Sequence, residues 1–214
     1  SKAWKRNPEY RHVYNKLWLS LDQGLKAAPV PVKPKKYPVF YKPIYNLYGW
    51  GKKAFRAESN PKEEVHPGMF WMETLEGVHW TIDGEFKNGE IKNAFSLEGE
   101  KDEDRFSLWK PTDKSLNWVE SWVAKKISGY EGPINLEGIG NYVIEIHLRN
   151  SEQMDIMKSK GHSYCVPIYQ KNFEEKQVSG TNFVNFGKEQ SMKGETIFGY
   201  VTAETKEKAL KAKY

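Results

Sequence analysis

The chain has 214 residues, of which 38% are hydrophobic, 29% charged and 14% aromatic, with 8 Trp and a formal charge of +5. The aromatic content excludes a disordered chain, which lacks large apolar anchors, and the length suits one domain of two lobes or two small domains. A single cysteine, Cys165, excludes an intrachain disulfide framework and a cysteine-based zinc site. No apolar run reaches the ~20 residues of a membrane helix, and SKAWKRNPEYRHVYNK has no signal-peptide core. The expectation is therefore a cytoplasmic protein without a membrane partner. Charge is uneven: residues 1–60 carry a net +10 and residues 61–214 a net −5. A basic front can attract phosphate and an acidic remainder can hold a cation, although a solvated basic surface is the plainer reading.

In chain order, residues 9–24 predict a helix with Tyr10, Val13, Tyr14, Leu17, Trp18 and Leu21 on one stripe and Gly24 as its stop. Residues 27–38 carry Pro29, Pro31, Pro34 and Pro38 and predict an extended linker. YPVFYKP (37–43) predicts a strand, residues 45–53 a loop with two glycines, and residues 54–58 a return strand. MFWMETL (69–75) predicts a buried strand broken at Gly77. Strands over 78–87 and 90–98 flank Asn88-Gly89, a pair that tolerates the positive φ of a tight hairpin. Residues 115–128 predict a helix ended by Gly129, residues 133–139 and 141–148 a hairpin, 196–202 a strand and 203–213 a surface helix. Helices mixed with antiparallel hairpins give an α+β class.

The densest chemistry lies in PINLEGIGNYVIEIHLRN. Side chains alternate along a strand, so Asn135 and Glu137 share one face of the first strand, and Glu145, His147 and Arg149 one face of the second. If the faces coincide, two carboxylates converge, and they repel unless a cation lies between them. Oxygen-rich sites of this kind suit Mg²⁺ with phosphate oxygens, and Arg149 would then neutralise a transferring phosphoryl group. An exposed polar face with a cross-strand ion pair is the alternative for this segment. A second constellation, YPVFYKPIYNLYGWGKK, delivers Lys42 from a strand and follows it with Gly49, Gly51, Lys52 and Lys53. Glycines let backbone N–H groups approach phosphate, although the P-loop spacing is absent and a hairpin with incidental lysines fits equally. The third, FWMETLEGVHW, ends an apolar strand among Glu73, Glu76 and His79.

Taken in order, these segments resemble the ATP-grasp superfamily. YNKLWLSLDQGLKAAP resembles its entry helix, with Lys16 at the start. YPVFYKP resembles the strand before the flexible glycine loop, with Lys42 as the second nucleotide lysine and Gly49, Gly51 and Lys52 in the loop. FWMETLEG resembles the adenine hinge, with Glu73 and Leu75 at hinge positions. GYEGPINLEGIGNYVIEIHLR resembles the metal hairpin, with Glu137 and Glu145 as magnesium carboxylates and Arg149 as the phosphoryl-stabilising arginine. Two positions depart from the family pattern: His79 stands where an acidic residue usually meets the ribose, and His147 where Asn usually assists the metal.

The resemblance implies an α+β fold of two lobes clasping ATP, divided as 1–36, 37–76 and 77–214. It implies ATP- and Mg²⁺-dependent ligation of a carboxylate to an amine through an acyl phosphate. Most members carry a further domain ahead of the entry helix that helps to bind the acceptor. The expectation here is that the chain's own segments, a second copy in a homodimer or a partner protein complete that site, with residues 156–195, which have no family counterpart, as a candidate. Two other classes stay open: an ATP-binding module without catalysis, and a nucleic-acid binder using the basic front with Trp4, Tyr10, Trp18, Tyr45 and Trp50.

Overall fold

A computed structural model describes residues 2–45, 54–61, 65–102, 105–112, 117–170, 173, 178–192 and 195–213. It opens with α1 (Lys2–Arg6), a 3₁₀ helix (Pro8–Tyr14) and α2 (Lys16–Asp22). A small antiparallel sheet follows, made of β1 (Ala27–Pro29), β2 (Val39–Pro43), β3 (Phe55–Ala57) and β4 (Met69–Glu73), in the order β1-β4-β2-β3. The larger sheet contains β5 (His79–Lys87), β6 (Glu90–Asp102), β7 (Arg105–Pro111), β8 (Gly132–Ile139), β9 (Tyr142–His147), β10 (Tyr164–Ile168), β11 (Thr181–Met192) and β12 (Glu195–Ala203). Its order is β11-β12-β10-β7-β6-β5-β8-β9, and every pairing is antiparallel. Three helices pack around it: α3 (Asn117–Lys126), α4 (Glu152–Lys160) and α5 (Lys206–Lys213). Among the described residues no helix is long and apolar enough to cross a membrane.

The helix predicted over 9–24 is two helices. Asn15 has extended backbone (φ −83°, ψ 99°), and its side chain accepts a hydrogen bond from the Trp18 N–H at 2.9 Å. That cap restarts the helix and resets its phase. The predicted stripe therefore fails at its end: Leu17 and Trp18 pack partly buried against the core, but Leu21 is 52% exposed, while Leu19 is 1% exposed and Lys16 and Ser20 face inward. Gly24 ends the helix as expected, at φ +76°. The proline-rich linker contains an edge strand, β1, antiparallel to β4. The strand ending at residue 98 runs on to Asp102 and returns as β7. The segment 156–195 is not an irregular loop: it holds most of α4, all of β10 and all of β11. The hairpin at Asn88-Gly89 forms as expected, with φ of +53° and +81°.

The main core lies on one face of the larger sheet. Trp80, Ile82 and Phe86 of β5, Ile134 and Leu136 of β8 and Ile146 of β9 pack there against Val119 and Val123 of α3 and Ile127 just beyond it. The opposite face is half covered by α4, whose Met154 and Met157 meet Leu97, Cys165 and Tyr200. What α4 leaves open carries the polar side chains described below.

A glycine contact locks the segment after β4 to the β8–β9 turn. The Gly140 N–H donates to the Val78 carbonyl at 2.9 Å, and the Trp80 indole donates to the Gly140 carbonyl at 2.9 Å. A Cβ on Gly140 would lie 2.6 Å from the Glu76 carbonyl oxygen, and Gly140 has φ +55°. Gly140→Ala should therefore cost about 2–4 kcal/mol, combining left-handed backbone strain with overpacking. Urea denaturation checks this, and a loss under about 0.5 kcal/mol, the scale of a neutral surface change, would contradict the contact.

Candidate functional site

The β8–β9 register decides the site. Asn135 lies opposite His147 and Glu137 opposite Glu145, so these four side chains share one face. The alternation expected for the hairpin is present. On β5, Thr81 lies opposite Glu137 and Asp83 opposite Asn135, extending the polar face by one strand.

The chain places its own cation among the carboxylates. Lys16, at the start of α2, forms an ion pair with Glu145 Oε1, and His147 Nε2 lies 2.9 Å from Glu145 Oε2. The Lys16 side chain is 5% exposed and that of Glu145 18%. Burial by itself would raise the Glu145 carboxyl's pKa. The Lys16 charge and the His147 hydrogen bond outweigh it and hold the group well below the usual carboxylate range. Glu145, His147 and Glu137 each offer a ligand atom within 4.8 Å of the others. A cavity of about 10 Å³ adjoins them, lined by Val13, Tyr14, Lys16, Glu145, Ile146 and His147.

Lys16 is held by backbone as well as by charge. Its N–H donates to the Ile44 carbonyl at 2.9 Å, two residues beyond Lys42. At the other end of α2, the Gln23 side chain both donates to the Val143 carbonyl and accepts from the Val143 N–H, each at 2.8 Å. Gln23 thus pairs with the edge strand β9 as another strand would. Lys42 is buried, sits opposite Phe70 in the β2–β4 register, and has its Nζ 5.6 Å from the Phe70 ring centre. The start of α2 is thus tied by backbone to the residue that follows β2, the strand that carries Lys42.

The remaining candidates are placed as follows. The Glu73 N–H donates to the Lys26 carbonyl at 2.9 Å and its Oε1 accepts from the Lys26 N–H at 2.7 Å. Leu75 packs partly buried against the cluster of Leu25, Phe70 and Met72. His79 is buried, edge-on to Phe106 and Trp109, with Nε2 3.7 Å from Glu137 Oε2. Arg149 lies beyond the end of β9. It is exposed, and its Nη1 donates to the Asn150 carbonyl at 2.7 Å. Gly49, Gly51 and Lys52 lie outside the described residues.

Sequence reading missed Asp83. It is fully buried, accepts from Asn135 Nδ2 at 2.6 Å and from the Ser151 N–H at 2.7 Å, and so ties the N-terminus of α4 to the sheet. The sequence signal was its parity with His79 and Thr81, which alternate with the apolar Trp80 and Ile82 along the 78–87 strand.

The donor set can be weighed against the groups that the resemblance implies. Two carboxylates within reach of each other fit a divalent cation with oxygen ligands, and two buried lysines, one at the start of α2 and one on β2, are of the type that binds phosphate.

No protein-family model and no curated protein sequence matches the chain. Solved structures do match. The L-amino acid ligase from Bacillus licheniformis superposes with a TM-score of 0.62 at 11% identity, over 94% of this chain and 69% of that one. The carboxyaminoimidazole ribonucleotide synthase from Aspergillus clavatus, complexed with ATP, gives 0.63 at 12% identity, over 94% and 71%. A protein assigned to the ATP-grasp superfamily from Archaeoglobus fulgidus gives 0.53 at 17% identity, over 89% and 64%. The two antiparallel sheets, with the polar face on the larger one, thus make an α+β fold of two lobes. This chain has the ATP-grasp fold.

Burial pushes the Asp83 carboxyl up to about 6 from 3.8, against the hydrogen bonds from Ser151 and Asn135 and the Lys158 charge, and with Asp155 adding to the rise. The folded state therefore favours the protonated form. Stability attached to this group is fully present only well below pH 3.8 and is lost as pH rises from there through about 6, by about 3 kcal/mol in all. Asp83→Asn stays neutral, so the stability of the wild type relative to that variant should fall by about 2 kcal/mol between pH 4 and pH 7. Denaturation at four pH values reads this, and a constant difference would show that Asp83 is ionised throughout.

Proposed function

We propose that the chain is an ATP-dependent ligase that joins a carboxylate to an amine or similar nucleophile. The observation that carries this reading is the pairing of Lys16 with Glu145, opposite Glu137, within an ATP-grasp fold, with the Lys16 backbone bonded two residues beyond the buried Lys42. Lys16 and Lys42 hold the phosphates of ATP, and the strand end at Glu73 and Leu75 receives the adenine. Glu137 and Glu145 would hold a divalent cation, which would supply neutralisation of phosphate charge. The substrate carboxylate attacks the γ-phosphorus, the bond to the β–γ bridging oxygen breaks, and ADP leaves. The amine then attacks the acyl carbon, inorganic phosphate leaves, and the amine loses a proton. Arg149 stabilises the transferring phosphoryl group and the oxyanion.

Lys16 changes how the cation site should be tested. Repulsion with Glu137 alone would make neutralising Glu145 cost little. The ion pair reverses this, because Glu145→Gln strands the buried Lys16 charge. Glu137, whose side chain is 36% exposed, is the cleaner target. Glu137→Gln should keep its melting temperature and lose divalent-dependent ATP binding in calorimetric titration. Lys42→Ala should weaken ATP binding by about 10–100-fold, the worth of a charge-assisted hydrogen bond, whereas the exposed Lys35→Ala should change it less than about fivefold. Equal losses from both lysines would instead mark a diffuse basic surface. ADP release with a panel of carboxylate and amine acceptors tests the ligase step itself.

A further inference from the structure

The third donor beside the two carboxylates is a nitrogen. His147 shares the face of Glu137 and Glu145, its Nε2 lies 2.9 Å from Glu145 Oε2, and the three side chains can bring ligand atoms within 4.8 Å of one another. Mg²⁺ is a hard cation that takes oxygen ligands, whereas imidazole suits the first-row transition ions. An amide at this position would offer a further oxygen. The imidazole replaces it with a softer donor and changes which cation the set holds best.

We propose that Glu137, Glu145 and His147 form a mixed carboxylate–imidazole site that selects a borderline first-row divalent cation, of the Mn²⁺ or Co²⁺ kind, over Mg²⁺. This deepens the reading of these side chains as the cation site of the proposed ligase and rests on it. Two features of the structure support it. The strand register holds all three side chains on one face, so no backbone rearrangement is needed to bring them together. His147 is half-buried against the Tyr14 ring at 6.2 Å between centres, which limits how far the imidazole can swing from the carboxylates. Ligation through Nε2 leaves the imidazole proton on Nδ1.

The test measures Co²⁺ and Mg²⁺ affinity of the full chain without nucleotide, in the wild type and in His147→Asn. Transition ions outbind Mg²⁺ at many sites, so the informative quantity is the ratio of the two affinities and its change on substitution. Loss of an outer partner of a metal ligand already costs about 10–100-fold. The Co²⁺-to-Mg²⁺ ratio should therefore fall at least about tenfold in His147→Asn, with Mg²⁺ affinity held within about threefold. An unchanged ratio in a folded variant overturns the proposal. If the variant does not fold, the wild type decides: a hyperfine-shifted imidazole N–H resonance on Co²⁺ loading supports ligation by His147, and its absence overturns it. A parallel ATP titration separates the two readings. ATP binding with an unchanged ratio sinks the metal selectivity alone, and a His147-dependent ratio without ATP binding sinks the ligase alone.

Discussion

The β8–β9 register sets an electrostatic problem that much of the N-terminal half of the chain helps to solve. Directly opposed positions on antiparallel strands hold their Cβ atoms about 5 Å apart, and here the opposed residues are Glu137 and Glu145. Two carboxylates so placed need positive charge. Lys16 supplies it from another element, which fixes where α2 must begin. Everything that seats α2 then serves the ion pair. Asn15 caps the helix so that it starts at Lys16, the Ile44 carbonyl receives the Lys16 N–H, and Gln23 pairs with Val143 at the far end. Because α2 also packs on β1 and β4, the same helix joins the small sheet to the large one. A buried ion pair is weak evidence for net stability. Its use here is positional, since it orients a lysine and a carboxylate that would both serve a charged ligand.

What was legible in the sequence followed from rigid rules. Strand alternation has a period of two, so the shared face of Asn135, Glu137, Glu145 and His147 could be read from spacing once Gly140-Asn141 marked the turn. Helix phase is fragile by comparison, because one cap resets it. Asn15 did so, which turned Leu19 inward and Leu21 outward. β10 was hidden by its proline. Pro167 cannot donate to a ladder and argues against an interior strand, yet β10 runs between β12 and β7. Its pairing to β7 is at Cys165, whereas that to β12 extends from Tyr164 to Ile168, so the proline lies beyond the β7 ladder. α4 was hidden for another reason. Met154 and Met157 are its fully buried side chains, and two apolar positions are too few for a periodic signal.

Asp83 shows how the polar face is kept in shape. A buried carboxylate is costly unless hydrogen-bonded, and Asp83 accepts from Asn135 on the neighbouring strand and from the N–H of Ser151, the residue that precedes α4. The Ser151 side chain makes no cap bond of its own, and its backbone is anchored to the sheet through Asp83. Asn135 is in turn fixed opposite His147. One carboxylate thus holds both the strand that carries Glu137 and the helix that follows β9.

That arrangement bears on Arg149, the one proposed catalytic side chain that strand alternation did not deliver. β9 stops at His147, and beyond it the chain is pinned at two points: the Leu148 N–H donates to the Tyr14 hydroxyl at 3.3 Å, and the Ser151 N–H to Asp83. Between these pins the Arg149 backbone has little freedom, but its side chain is exposed and held by one bond to the Asn150 carbonyl. Exchanging a single exposed hydrogen bond costs about 1 kcal/mol. A guanidinium bound to phosphate gains more than that, because both partners are charged and the contact is bidentate. A fixed backbone with a loosely held guanidinium is therefore suited to a group that engages only when negative charge arrives. The carboxylates it would work beside cannot be held so loosely, since their mutual repulsion has to be answered in every state of the protein.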